Sequence, residues 1–365
     1  MESTDRRQHL RDILKHLILE PSGFTPEHAA NGLHSIMRGE ASDAQMGGFL
    51  TALRLRGVDS DPQMIAALAR EMLSNALVPS IDSTHPVVDI VGTGGDGWNT
   101  FNISTTSSIV AAASGLAVAK HGSRASSSNC GSADLLERMG CDLSVVAPSD
   151  VAELIKEHKF CFLFSSTFHP SMRYLAKTRR ELGFPTPFNV LGPLTNPVRP
   201  GRAVIGVHST KLGPVMAEAL KILGRRNYAV VCGDENLDEI SIAGSTQVWH
   251  IDGAGQIEHY AIHPRDFGVS AHPLSAAAGS TLDENQATLT RLLSNTITER
   301  DVAIRDFVLV NTGFLLYVGG KAASMKEGAD MARETLESGK AKALLEGFAQ
   351  ATQALRAQEN STTAS

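Results

Sequence analysis

The chain has 365 residues, 42% of them hydrophobic and 20% charged, and a formal net charge of −6. That length accommodates two domains, or one large domain with an appendage. The net acidity excludes a long grip on a polyanion, so a phosphate-bearing ligand must be held locally. Cys130, Cys141, Cys161 and Cys232 lie far apart with no C-x-x-C pair, which argues against a disulfide framework or a zinc site and for a reducing compartment.

The first residues mix Glu2, Asp5 and Asp12 with basic side chains and lack an apolar segment, so they read as neither a secretory nor an organellar signal. No apolar run approaches the roughly 18 residues of a membrane span, and a cytoplasmic location is expected. Residues 1–78 read as helices only. Leu10, Ile13, Leu14, Leu17 and Ile18 share one stripe, and Met46, Phe49, Leu50 and Leu53 repeat the spacing. Thr25 before Pro26 and Ser60 shortly before Pro62 mark helix starts. A small helical domain is the expectation.

At Pro86 the pattern changes. Val87, Val88, Ile90 and Val91 form a short apolar run ending in glycines, as a buried parallel strand does. Further strands are expected at Ala117–Ala119, Leu143–Val146, Phe160–Phe164, Ala203–Val207, Tyr228–Cys232 and Gln247–Ile251, with helices at Ser104–Ser114, Ser149–His158 and Thr210–Leu223 between them. This alternation predicts an α/β domain around a mostly parallel sheet, with ligands beyond the carboxyl ends of its strands. The domains are expected at 1–78 for the helical part, joined by part of the Pro-rich 170–201 region, and at 79–169 with 202–355 for the α/β part. Residues 284–355 read as mostly helical, and 356–365, polar and Thr/Ser-rich, as a frayed tail.

Directly after the first strand stands Gly92-Thr93-Gly94-Gly95-Asp96-Gly97. Glycines let backbone N–H groups turn toward an anion, although the loop is neither a Walker A nor a dinucleotide motif. Asn102-Ile103-Ser104-Thr105 then opens a helix, where hydroxyls and free amides form a second anion site. Lys120-His121-Gly122-Ser123-Arg124 follows the second strand and leads into a polar loop reaching Ser128. Each segment alone is readable as an ordinary turn, cap or solvated loop; together they point one way.

These motifs, with Asp89-Ile-Val preceding the glycine loop, Gly131-Ser132-Ala133-Asp134, Asn189-Val-Leu-Gly-Pro-Leu-Thr-Asn-Pro197 and Leu237-Asp-Glu-Ile-Ser241, resemble anthranilate phosphoribosyltransferases of tryptophan biosynthesis over about residues 5–355. The resemblance implies a homodimer formed through the helical domain, and a cleft that takes PRPP (phosphoribosyl pyrophosphate) and anthranilate with two Mg2+ ions. It places PRPP on Gly92 to Asp96, Thr100, Asn102 to Thr105, Lys120 to Arg124, Ser128 and Ser132. It places anthranilate on Gly92, Ser123, His169, Arg179, Gly192 and Pro193, and metal on Ser104, Asp238 and Glu239. Magnesium takes few carboxylates, so Asp238 and Glu239 are expected in a turn where both face the cleft. The family's usual motif is Lys-His-Gly-Asn-Arg, and Ser123 departs from it with a shorter side chain. No general base is assigned, since the amine already carries a lone pair. Pyrimidine nucleoside phosphorylases share the fold but carry a Lys-His-Ser-Thr-Gly-Gly type motif that is missing here. A nucleic-acid-binding relative would require a basic cleft and a degraded glycine loop, so neither nucleic acid nor membrane is an expected partner.

Overall fold

The computed structural model describes residues 2–81, 86–125 and 130–363. Helical spacing buries Leu10, Ile13 and Leu17 of the helix Glu2–Leu19 against Phe49, Leu50 and Leu53 of Asp43–Leu55 and the apolar face of Pro62–Ser74. Thr25 caps Pro26–Met37 by accepting from the His28 amide. Asp61, not Ser60, caps Pro62–Ser74, because its carboxylate reaches the amides of Gln63 and Met64. Leu175 and Phe188 to Leu191 join this core, which continues onto one face of a sheet through Ala203, Ile205 and Val207.

Seven strands form that sheet: β1 (Val88–Gly92), β2 (Val118–Gly122), β3 (Phe160–Phe164), β4 (Arg202–Gly206), β5 (Tyr228–Gly233), β6 (Thr246–Ile251) and β7 (Ile257–Ile262), in the order β3-β2-β1-β4-β5-β6-β7. The first five run parallel, and β6 and β7 return antiparallel. Side chains alternate across the sheet: Val204, Ala229 and Val231 face the helices Ile103–Ala113 and Val302–Val318, while Ile205 and Val230 face Leu212–Ile222 and the N-terminal helices.

Two expectations change, and one strand was not foreseen. Leu143–Val146 is not a strand but contains a 3-10 turn, Leu143–Val145, whose Leu143 is fully buried. β7 escaped the sequence reading because Glu258 and His259 face outward and only Ile262 is buried, which leaves little apolar signal. The tail does not fray from residue 356, since the helix Lys340–Thr363 runs through it. Arg356 holds that helix down by bonding Asp142 at 2.7 Å and Ser144 at 2.7 Å.

The chain lays β2 and β3 on one side of β1 and then returns to place β4 on the other. This makes the β1/β4 boundary the switch point at which α/β sheets open a crevice. Gly92 and Gly206 end the two strands side by side. A Cβ on Gly206 would stand 1.6 Å from the Asp238 carbonyl oxygen, so the close approach of that turn demands glycine. Gly206→Ala is expected to cost at least about 1–3 kcal/mol in chemical denaturation. The backbone that must shift carries Asp238.

Candidate active site

Gly94, Gly95 and Gly97 adopt φ of +68°, +78° and +79°, the left-handed region that favours glycine. Gly94 N–H donates to Asp238 Oδ2 at 2.6 Å, and a Cβ on Gly92 would lie 2.2 Å from that same oxygen. The loop thus turns a backbone N–H onto a carboxyl oxygen, the geometry that an anion cradle uses. Asp96 accepts from the Trp98 amide at 3.0 Å, and the Thr93 hydroxyl turns to His208 Nδ1 at 3.0 Å.

Beneath the loop, the buried Lys120 ammonium donates to Ile90 O at 2.7 Å and to Ser104 Oγ at 3.3 Å. Burial pulls its pKa down, and Asp89 and Glu239 oppose the shift. Asp89 is pushed up to about 6 by burial although Lys120 attracts its charge, and Asn196 Nδ2 bonds it at 2.8 Å. Asn196 also reaches Ala119 O at 2.8 Å, so one amide ties β1, β2 and the 189–197 segment together.

Asp238 and Glu239 follow Leu237 in a bend and both turn inward. Glu239 accepts from Thr100 Oγ1 at 3.4 Å and from the Ser104 backbone amide. Burial first, and then repulsion from Asp96, raises the pKa of Asp238. Burial followed by repulsion from Asp238 raises that of Glu239. Such repulsion is relieved by a cation. Among the described residues no group of three His, Cys, Asp or Glu side chains forms a ready-made metal cage. Two carboxylates and a hydroxyl suit a hard ion that completes its shell with water and phosphate oxygens.

On the neighbouring side, His121 and His169 are buried with ring centroids 5.1 Å apart. His169 Nε2 donates to Thr195 O at 2.9 Å. Pro193 is buried beside this segment, while a Cβ on Gly192 would meet open space. The Arg179 guanidinium lies over the Phe188 ring at 5.6 Å, has no acidic partner among the described residues, and has its pKa lowered by burial. A mostly buried cation without an acidic partner carries a desolvation cost that a carboxylate would offset.

The helical bundle domain of a glycosyl transferase family matches residues 11–76, and that family's a/b domain matches residues 84–342. The anthranilate phosphoribosyltransferase of Schizosaccharomyces pombe is 42% identical to this chain, covering 90% of it and 92% of the relative. The chain belongs to the anthranilate phosphoribosyltransferase family. The Saccharomyces cerevisiae member solved in complex with PRPP and Mg superposes with a TM-score of 0.87 at 34% identity, covering 94% of this chain and 98% of that one. The same yeast enzyme in complex with 4-fluoroanthranilate gives 0.86 at 33% identity, covering 95% and 98%.

Not every residue that the family pattern nominated presents its side chain to the cleft. Ile103 is fully buried in the core, and its amide is used by Phe101 O at 2.6 Å. Thr105 is fully buried and donates to Ser132 Oγ at 2.8 Å, so these two hydroxyls pin helices to one another. Asn102 donates to Cys130 O at 2.9 Å and accepts from Asn285 at 3.2 Å. Arg124 pairs with Glu137 at 2.6 Å and covers the Phe164 ring, which takes it away from a phosphate. Gly122 packs against Phe162, and Ser123 is exposed and donates to Arg124 O at 3.1 Å. Ser128 lies outside the described residues. Sequence reasoning missed Trp98 and His208, which carry no motif and declare themselves only through contacts across the fold.

His121 is buried against His169. Burial, then His169, drives its pKa from 6.5 to about 3. The folded state therefore keeps the ring neutral while the unfolded chain takes up a proton below about pH 6.5. His121 contributes stability above that pH and loses about 1.4 kcal/mol for each pH unit below it, until about pH 3. Denaturant midpoints of the unsubstituted protein and His121→Gln are expected to converge or cross between pH 7 and about pH 5. Parallel pH curves would show that His121 does not titrate this way.

Proposed function

We propose that this chain transfers the phosphoribosyl group of PRPP to the amine of anthranilate, giving N-(5-phosphoribosyl)anthranilate and pyrophosphate. The observation that carries this reading is the meeting, at the β1/β4 switch point, of an amide cradle, a buried lysine and two inward-facing acids. The arrangement favours displacement at the anomeric carbon. The C–O bond to pyrophosphate breaks, its electron pair leaving with pyrophosphate, the amine lone pair forms the C–N bond, and the surplus proton on nitrogen passes to solvent water. Gly92 to Asp96 and Lys120 orient the diphosphate, with Thr100 and Ser104 at its edge.

Asp238, Glu239 and Ser104 would hold two Mg2+ ions, which when bound neutralise charge on the leaving group. Arg179 receives the anthranilate carboxylate, and Gly192 and Pro193 border its ring. His121 and His169, both neutral, back the same side. Incubation with PRPP, Mg2+ and anthranilate should show loss of anthranilate fluorescence; no loss would overturn the assignment. A nucleoside phosphorylase reading has no matching motif in its favour.

We also propose that the protein is a cytoplasmic homodimer. Ile18, Leu19 and Leu55 are 60%, 73% and 81% exposed on the helical part, apolar surface that a second copy would cover. The four cysteines are buried and none forms a disulfide among the described residues, which suits a reducing compartment. No helix among the described residues is long and apolar enough to cross a membrane.

A further inference from the structure

Trp98 follows the glycine loop, and its side chain is 44% exposed, unusual for so large an apolar surface. Its single polar atom is committed: Nε1–H donates to Glu235 O at 3.0 Å across the crevice. Its amide donates to Asp96 Oδ1 at 3.0 Å, which closes the loop on itself. Glu235 lies in the turn 234–236 that leads into the bend of Asp238 and Glu239, and one of its carboxylate oxygens, Oε2, is buried without a partner among the described residues. The indole bond therefore joins the base of the glycine loop to the base of the acidic turn.

Two further bonds cross the same gap nearer the site, Gly94 N–H to Asp238 Oδ2 at 2.6 Å and Thr100 Oγ1 to Glu239 Oε2 at 3.4 Å. Both use carboxylate oxygens that a cation would claim. The Gly94 amide must then find another acceptor, and a diphosphate oxygen supplies one. Of the three bonds, only that of Trp98 uses a backbone carbonyl and no carboxylate oxygen, so it can persist when the other two are given up.

We infer that Trp98 is a positioning residue for the donor side: its indole N–H holds the glycine loop on the acidic turn while the Gly94 amide exchanges the Asp238 carboxylate for a diphosphate oxygen. The inference rests on the function proposed above and adds the means by which the two loops stay in register.

Trp98→Phe keeps a ring and removes the donor. The test compares this variant with the unsubstituted protein in steady-state turnover and in calorimetric titration with magnesium pyrophosphate, which has no ribose to transfer. The KM for PRPP and the Kd for magnesium pyrophosphate are expected to rise about three- to tenfold, the effect of one hydrogen bond. The KM for anthranilate should stay within about twofold. Unchanged PRPP and pyrophosphate affinities would overturn the inference. So would a fall in kcat with both KM values unchanged and a lowered melting temperature, the mark of a merely structural ring. If the unsubstituted protein shows no turnover at all, the proposed function fails instead, and the pyrophosphate titration still decides whether Trp98 steadies an anion site.

Discussion

Replacing Asp238 by Asn and Glu239 by Gln together is expected to lower magnesium-dependent turnover by about a thousandfold or more, equivalent to roughly 4 kcal/mol of transition-state stabilisation. The amides preserve size, and Asn at 238 can still accept from Gly94, so the loss isolates the two charges that would hold the metal. The same change has an opposite effect on the ligand-free fold. Both acids have raised pKa values, Asp238 through burial and then Asp96, and Glu239 through burial and then Asp238, so ionising them at neutral pH costs stability. The double variant should melt at the same temperature as the unsubstituted protein, or higher, without metal, and should lose the magnesium-induced increase in melting temperature. Turnover that persists and still responds to magnesium would move the metal to other residues.

The glycine loop and the acids were readable from sequence because each belongs to a short local motif at a strand end. Gly92 to Gly97 follows an apolar run, and the φ values of Gly94, Gly95 and Gly97 are those that only glycine adopts easily. What brings the loop to Asp238 is not local. Residues 144 positions apart meet because β4 inserts beside β1, and Gly206 lets the turn pass within contact distance. Nothing about an isolated glycine at the end of a strand announces that role. Ile103, Thr105 and Arg124 show the converse. They lie inside the motif, yet burial claims the first two and Glu137 claims the third, so membership of a motif did not guarantee a side chain in the cleft. β7 and the last helical turns were illegible for a related reason: one fully buries only Ile262, and the other depends on Arg356 finding Asp142, 214 positions away.

Arg179→Ala is expected to raise the anthranilate KM about ten- to a hundredfold while leaving the KM for PRPP within about twofold. A charge-assisted, two-pronged guanidinium–carboxylate pair is worth roughly 1.5–3 kcal/mol, and about 1.4 kcal/mol is a factor of ten. The structure explains why the effect should fall on binding rather than on folding. Arg179 is mostly buried against Phe188 with no acidic partner among the described residues, and burial lowers its pKa, so its charge is a cost that the free protein carries. Removing it should leave thermal stability unchanged or slightly higher, apart from lost packing on the ring. Arg179→Lys should recover only part of the affinity, because a single ammonium cannot reproduce the planar fork. Its neighbour Arg180 is exposed, and Arg180→Ala serves as the control that should alter neither KM. An anthranilate KM untouched by Arg179→Ala would remove this residue from the acceptor site and leave its unpaired charge to be explained by some other anion.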